Sequence, residues 1–169
     1  MKTLYIHGFG GSVPEEKLNI LKAQGLEVYA LHLKYDHQSY FLLKDYILGN
    51  NLEYLVGSSH GGFMAYWLAE ELALPCLLLN PHLSLSARKK VSPTVSQLSC
   101  PICTVALGGE DQLVDPNRSL QYLEAEQRPD KVVKIKWVER QGHSFDLEVL
   151  QEIVAWSLEE IKIFYKEKG

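Results

Sequence analysis

The sequence lacks the features that would place the protein at a membrane. No apolar run approaches the roughly 20 residues that a helix needs to cross a bilayer. The N-terminus has no basic stretch followed by an apolar signal core, and it leads directly into a strand-like segment. We therefore expect a cytoplasmic protein without a membrane partner.

Cysteine is also scarce. The chain has three cysteines, an odd number that fits a reducing compartment better than a disulfide framework. Cys100 and Cys103 are spaced as a C-x-x-C motif, but an apolar strand-like run follows them. A redox cysteine normally opens a helix, whose dipole lowers the pKa of the thiol. The spacing therefore does not favour a redox or metal role.

Positive charge is outnumbered by negative charge. The 17 Lys and Arg against 21 Asp and Glu give a formal net charge of −4. Nucleic-acid binding usually leaves a basic stripe, so we expect no nucleic-acid partner. The one local exception is Arg88-Lys89-Lys90, for which a solvated loop is favoured over an anion-binding role.

Signatures of metals and nucleotides are missing as well. No two of the six histidines have the one-turn helical spacing of a zinc motif. The glycine-rich turn at residues 8–11 lacks both the G-x-G-x-x-G spacing and the P-loop lysine. We expect neither a metal nor a cofactor.

The chain does contain a regular alternation of apolar and amphipathic segments. Short apolar runs predict strands at residues 3–7, 28–33, 54–57, 76–80, 102–107 and 132–138. Amphipathic runs predict helices between them and at the end of the chain. Strands buried on both faces that alternate with helices form parallel sheets. We expect a single domain, residues 1–169, with a three-layer α/β/α sandwich and a mostly parallel six-stranded sheet.

Polar residues mark several of the predicted helix starts. Ser12-Val13-Pro14-Glu15 matches a capping box. Asp115 before Pro116 matches an N-cap followed by proline at the first helical position. Ser144 or Asp146 is expected to cap the last helix. The longest irregular segment, residues 81–99, is the expected substrate-covering loop.

The pentapeptide GSSHG, residues 57–61, lies between a predicted strand and a predicted helix. It fits the G-x-S-x-G pattern, in which the middle serine sits on a tight strand-to-helix turn with its hydroxyl exposed. Small residues such as Gly57 and Gly61 let strand and helix approach closely. The pattern makes Ser59, and not Ser58, a candidate nucleophile. The alternative is that Ser59 merely caps the helix that follows.

A serine nucleophile needs a base and an orienting carboxylate, and both follow later strands in the required order. His143 is the only histidine that combines a position after a strand with the order Ser, acid, His. Asp111 is favoured as the acid because it follows the fifth strand directly. Its competitors are Glu110, Asp115 and Asp146, and the last two are expected as helix caps.

An oxyanion site completes the expected arrangement. The backbone N–H after the nucleophile, that of His60, supplies one donor in the G-x-S-x-G geometry. The loop after the first strand is expected to supply the second, which we assign to the N–H of Phe9. Phe9 and Phe145 are the candidate substrate-binding side chains, whereas Phe63 is expected in the core.

Several motifs together resemble one known family. Leu4-Tyr5-Ile6-His7-Gly8-Phe9, GSSHGG, Leu79-Asn80-Pro81, Gly109-Glu110-Asp111 and Gly142-His143-Ser144-Phe145 are similar to the small α/β-hydrolases of the YqiA-type (UPF0227) esterase family. The resemblance implies a minimal hydrolase core with little or no cap. It also implies Ser59, Asp111 and His143 as a catalytic triad acting on short acyl esters. The sequence departs from the family at His60, where related sequences often have Leu.

The residues and the resemblance together predict a serine carboxylesterase that acts on a small-molecule ester. A thioesterase is the second hypothesis, because the same triad cleaves thioesters and Arg88-Lys89-Lys90 would hold an anionic carrier. A non-catalytic binding protein that keeps the hydrolase fold is the third, because a fold alone never establishes activity.

Overall fold

The computed structural model describes residues 1–84 and 100–169. Within them, strands and helices alternate along the chain. The elements are β1 Lys2–Ile6, α1 Glu15–Ala23, β2 Glu27–Ala30, α2 Ser39–Asn50, β3 Tyr54–Ser58, α3 His60–Leu72, β4 Cys76–Leu79, β5 Ile102–Gly108, α4 Pro116–Ala125, β6 Val132–Val138 and α5 Leu147–Lys168.

The strands form one six-stranded sheet in the order β2-β1-β3-β4-β5-β6, and every neighbouring pair is parallel. Helices α2, α3 and α4 pack on one face, and α1 and α5 pack on the other. Side chains of a strand alternate between the faces, so Leu4 and Ile6 join one core cluster and Tyr5 joins the other. The expected three-layer α/β/α sandwich is confirmed.

The sheet brings distant loops together because its strands all run the same way. The segments that follow β1, β3, β4, β5 and β6 therefore start at the same edge. This edge is where the candidate residues of the G-x-S-x-G turn and of the two later loops were expected.

Most predicted elements are present, with two local differences. The capping box at Ser12 is wrong, because α1 begins at Glu15 with Pro14 as its N-cap and no side-chain cap bond. The residue before a proline avoids helical dihedral angles, so Val13 cannot join the first turn. Strand β2 ends at Ala30, before the predicted residue 33, and the N–H of Leu33 instead donates to the Nε2 of His7, 2.9 Å away.

Asp115 and Asp146, the predicted caps of α4 and α5, make different hydrogen bonds. Asp115 accepts from the N–H of Asn117 at 3.0 Å and caps α4, as the sequence predicts. Asp146 occupies the N-cap position of α5 but makes no cap bond. Its carboxylate instead accepts from Nε2 of Gln141 at 2.8 Å.

The three cysteines lie in the core as free thiols: Cys76, Cys100 and Cys103 are all buried. The C-x-x-C spacing leads into β5, so neither cysteine opens a helix. Across residues 1–84 and 100–169, no cluster of three or more histidine, cysteine or acidic side chains has the geometry to hold a metal ion. None of the helices in the same residues combines the length and apolar composition that a bilayer-spanning helix requires.

A buried ion cluster ties α3 to the segment that precedes β6. Glu70 is fully buried on α3 and pairs with Lys131, whose side chain is 1% exposed. Arg128 donates to the same carboxylate at 2.7 Å, and Lys131 also donates to the hydroxyl of Tyr66 at 3.0 Å. Removal of one partner from such a cluster leaves a buried charge uncompensated.

We expect the substitution Glu70→Ala to lower the free energy of unfolding by about 3–5 kcal/mol, because the Lys131 ammonium loses its carboxylate. Urea unfolding measures the effect. The control is Glu159→Ala, whose pair with Lys162 is exposed to solvent and should cost at most about 1 kcal/mol. Equal losses in the two variants would contradict this account of the cluster.

Candidate active site

Ser59 occupies a strained turn between β3 and α3. Its backbone has φ 56° and ψ −118°, a region that residues other than glycine rarely adopt. Its N–H donates to the carbonyl of Leu79 at 2.9 Å, and its carbonyl accepts from the N–H of His82 at 3.0 Å and from that of Phe63 at 3.2 Å. Neighbours on both sides therefore hold the turn in place.

Two glycines let this turn form, as the sequence predicts. A Cβ added to Gly57 would lie 2.3 Å from the carbonyl oxygen of Gly61. A Cβ added to Gly61 would lie 2.2 Å from the carbonyl oxygen of Ile6. Any side chain at either position would meet backbone atoms, so the start of α3 rests directly on β1 and β3.

The structure joins His143 to Asp111. Nδ1 of His143 lies 2.8 Å from Oδ2 of Asp111, whose side chain is fully buried. Oδ1 of Asp111 accepts from the N–H groups of Leu113 at 2.9 Å and of Val114 at 3.0 Å. An ionised carboxylate only accepts, so Nδ1 of His143 carries the proton in this hydrogen bond, and in the neutral imidazole Nε2 is the nitrogen with the free lone pair.

The other acid candidates have different surroundings. Glu110 is exposed, Asp115 caps α4, and Asp146 accepts from Gln141. Neither of the hydrogen bonds involves His143. Within the described residues, Asp111 is therefore the one of these four acids that contacts the imidazole.

Ser59 and His143 line the same cavity, which has a volume of about 590 Å³. No hydrogen bond between the Ser59 hydroxyl and His143 is present in the described part of the chain. Contacts of this kind are often long in a free enzyme and shorten when substrate binds. The arrangement thus supplies a hydroxyl and an oriented imidazole to one space.

Asn80 connects the loops that carry Asp111 and His143. Its side chain is nearly fully buried at the end of β4, and its backbone has a φ of 44°. Its Nδ2 donates to the carbonyls of Gly142 and His143, both at 2.9 Å. Its Oδ1 accepts from the N–H of Gly108 at 2.7 Å. One amide thus joins the end of β5 to the loop that follows β6.

The loop after β1 lies against the Ser59 turn. A Cβ added to Gly8 would be 3.2 Å from the Cβ of Ser59 and 3.7 Å from its hydroxyl oxygen. Phe9, which follows, is 73% exposed and lines the cavity. The two predicted oxyanion residues, Phe9 and His60, thus line the same cavity as Ser59.

His7 fixes the shape of that loop. Its Nε2 accepts from the N–H of Leu33 at 2.9 Å, so Nδ1 carries the proton and donates to the carbonyl of Gly8 at 2.7 Å. The hydroxyl of Tyr35 donates to the carbonyl of His7. The same Gly8 carbonyl also accepts from the N–H of Gly11 at 3.1 Å. The loop is thus held by contacts within itself and with residues 33–35.

His60 belongs to an aromatic cluster at the cavity. Its ring stacks on Phe63 with centroids 5.7 Å apart and meets Tyr35 edge to face at 4.8 Å and Phe9 at 6.0 Å. Burial, together with the neighbouring His82, lowers the pKa of His60, so its ring is neutral at pH 7. His60 therefore forms an uncharged aromatic part of the cavity wall.

Phe145, a predicted substrate-binding residue, lies outside the cavity lining. Phe145 is buried in the core cluster beneath α5 and is not among the described residues that line the cavity. Phe63 is also buried in the core, as expected. Of the expected covering loop, residues 85–99, with Arg88-Lys89-Lys90, lie outside the described residues.

Sequence reasoning gave no role to three residues that the structure places at the site: His7, Asn80 and Lys17. His7 and Asn80 occur in the motifs quoted above, and each directly follows an apolar strand, which is the signal that marks this edge of a parallel sheet. Lys17 lies on α1 and lines the cavity. Its position there depends on how α1 packs, which no local pattern encodes.

Comparison with known proteins identifies the family of the chain. Residues 2–131 match the model of an uncharacterised protein family, UPF0227. No curated protein matches the sequence significantly.

Solved structures share the fold. A predicted CIB-like hydrolase from Thermoplasma acidophilum is 16% identical, with a TM-score of 0.69 over 95% of this chain and 85% of that one. A monoacylglycerol lipase from Paleococcus ferrophilus is 15% identical, with a TM-score of 0.67 over 94% of both chains. A carboxylesterase from Bacillus cereus is 15% identical, with a TM-score of 0.64 over 93% of this chain and 87% of that one. Identities this low show the α/β-hydrolase fold alone.

We expect Asn80→Ala to lower the free energy of unfolding by about 3 kcal/mol, because it leaves one buried N–H and two partly buried carbonyls without their partner. Urea unfolding compares this variant with Asn50→Ala, which removes a single bond to the Tyr46 carbonyl. A loss in Asn80→Ala no larger than in this control would contradict the role of the amide.

Proposed function

Since the chain belongs to the uncharacterised protein family UPF0227 and has the α/β-hydrolase fold, we propose that it is a serine hydrolase that cleaves short-chain carboxylic esters. The observation that carries the proposal is the hydrogen bond between His143 and Asp111 beside a cavity shared with Ser59. A hydroxyl on a strained turn, an imidazole in the correct tautomer and a buried carboxylate are the parts that acyl transfer needs.

The proposed mechanism proceeds through an acyl-enzyme. His143 Nε2 takes the hydroxyl proton while Oγ of Ser59 attacks the ester carbonyl carbon. The tetrahedral intermediate collapses, the C–O bond to the alcohol breaks, and the alcohol leaves with the proton from Nε2. Water then loses a proton to the same nitrogen and attacks the acyl carbon. The bond between that carbon and Oγ breaks, Oγ takes the proton back from Nε2, and the acid leaves. Asp111 holds the imidazole and stabilises its protonated form.

Backbone N–H groups supply the charge stabilisation in this proposal. The N–H of His60 begins α3, where the first N–H groups of a helix have no partner within it. The N–H of Phe9 belongs to the loop that lies against Ser59. In the residues that the structure describes, neither N–H donates to a protein acceptor. One such donor is commonly worth about 10²- to 10³-fold in rate.

The thioesterase and non-catalytic hypotheses receive different support from the structure. The thioesterase hypothesis depends on Arg88-Lys89-Lys90, outside the described residues, so the described geometry gives it no separate support. The non-catalytic hypothesis gives no reason for the strained backbone of Ser59, a conformation that costs stability and clusters at functional sites. An ester is therefore the proposed substrate.

We expect p-nitrophenyl acetate to produce a burst of one p-nitrophenol per chain followed by slower turnover, because acylation by this activated ester is faster than deacylation. Ser59→Ala or His143→Ala should lower kcat by about 10³-fold or more, and Asp111→Asn should also lower it, through the wrong tautomer of His143. Stopped-flow absorbance measures both phases.

Ser58→Ala serves as the matched variant, because it removes the neighbouring hydroxyl. Its burst should still correspond to one product per chain, and circular dichroism should show that Ser59→Ala is folded. A burst that survives Ser59→Ala and disappears in Ser58→Ala would overturn the assignment. Preferential hydrolysis of acyl-CoA over simple esters would favour the thioesterase.

A further inference from the structure

The cavity beside Ser59 has an uneven distribution of charge. Among the described residues that line it, Lys17 supplies an ammonium group and none is a carboxylate. Asp111 does not line it, because its side chain is fully buried behind His143. The chain as a whole has a net charge of −4, so the cavity differs from the average surface.

The other ionisable groups in the cavity do not compensate for this ammonium. Burial raises the pKa of Tyr5 to about 12, against the opposing effect of a hydrogen bond with Ser58, so its hydroxyl is neutral at pH 7. His60 is neutral for the reason given above, and the Nε2 of His7 accepts a hydrogen bond that a protonated ring could not. No anion among the described residues therefore faces Lys17 across the cavity.

Lys17 itself is half-buried and has no ion-pair partner among the described residues. Burial lowers its pKa, and no neighbouring acid offsets the effect. Glu15 and Glu16, in the same first turn of α1, are exposed and do not line the cavity. An unpaired ammonium that is partly removed from water destabilises the free protein, and an anion that binds next to it would offset part of that cost.

Lys17 and His143 lie on opposite sides of Ser59 in the sheet order. Lys17 belongs to the connection between β1 and β2, on one side of β3, whereas His143 follows β6, on the other side. In the proposed mechanism the alcohol leaves toward the nitrogen that protonates it, on the side of His143. The side of the cavity that Lys17 lines is then left for the acyl chain.

From this arrangement, and resting on the esterase function proposed above, we propose that Lys17 binds an anionic group at the far end of the acyl chain. The preferred substrates are then esters of dicarboxylic acids that keep one free carboxylate. Lys17 is a specificity-determining residue in this account, and the chemistry stays with Ser59, His143 and Asp111.

The test compares pairs of p-nitrophenyl esters of equal chain length, after subtraction of spontaneous hydrolysis. One pair is the monoester of adipic acid and the ester of hexanoic acid, and the second pair is the corresponding suberic and octanoic compounds. We expect a higher kcat/KM for the anionic member of at least one pair. Lys17→Met, a neutral side chain of similar length, should reduce that preference at least tenfold, whereas Lys17→Arg should retain most of it.

Lys22→Met is the matched control, because Lys22 lies on the same helix but is exposed and does not line the cavity. Its preference should equal that of the unchanged protein. If the neutral esters are turned over and Lys17→Met keeps the full preference for the anionic esters, the inference is overturned and the esterase proposal stands. Absence of burst and turnover with every ester would overturn the esterase proposal itself.

Discussion

The hydrogen bonds of the Asn80 side chain are the interaction on which the geometry of the site depends. Asn80 lies 62 residues from Gly142 and 28 residues from Gly108 along the chain, yet its amide bonds to both. These bonds fix the loop with His143 relative to the strand end that leads to Asp111. The position of the imidazole is therefore a property of the sheet edge, and it does not rely on the loop alone.

The backbone of Ser59, at the same edge of the sheet, is strained, and close packing around this residue holds it in place. Ser59 adopts a positive φ, and Gly57 and Gly61 bring the backbones of α3, β1 and β3 into contact. Such a conformation costs about 1–3 kcal/mol and persists only when its surroundings enforce it. The resulting turn presents a hydroxyl to a cavity whose other wall carries His143. Fold and site thus follow from one arrangement of parallel strands.

Local patterns in the sequence predict the sheet and much of the candidate site, because strands buried on both faces read as apolar runs and the turn needs glycine. The features that the sequence does not reveal are those set by tertiary contacts. Phe145 packs in the core because of how α5 meets the sheet, and β2 ends early because His7 takes the N–H of Leu33. The capping box at Ser12 fails because Pro14 restricts the residue before it.

The central claim is that the Ser59 hydroxyl is the nucleophile, activated by His143. The most direct measurement is peptide mapping by mass spectrometry after reaction with a fluorophosphonate, which forms a stable adduct with an activated serine. The account predicts one adduct per chain, located on Ser59 and absent when His143 is replaced by alanine. An adduct on a different residue, or no adduct on a folded protein, would contradict it.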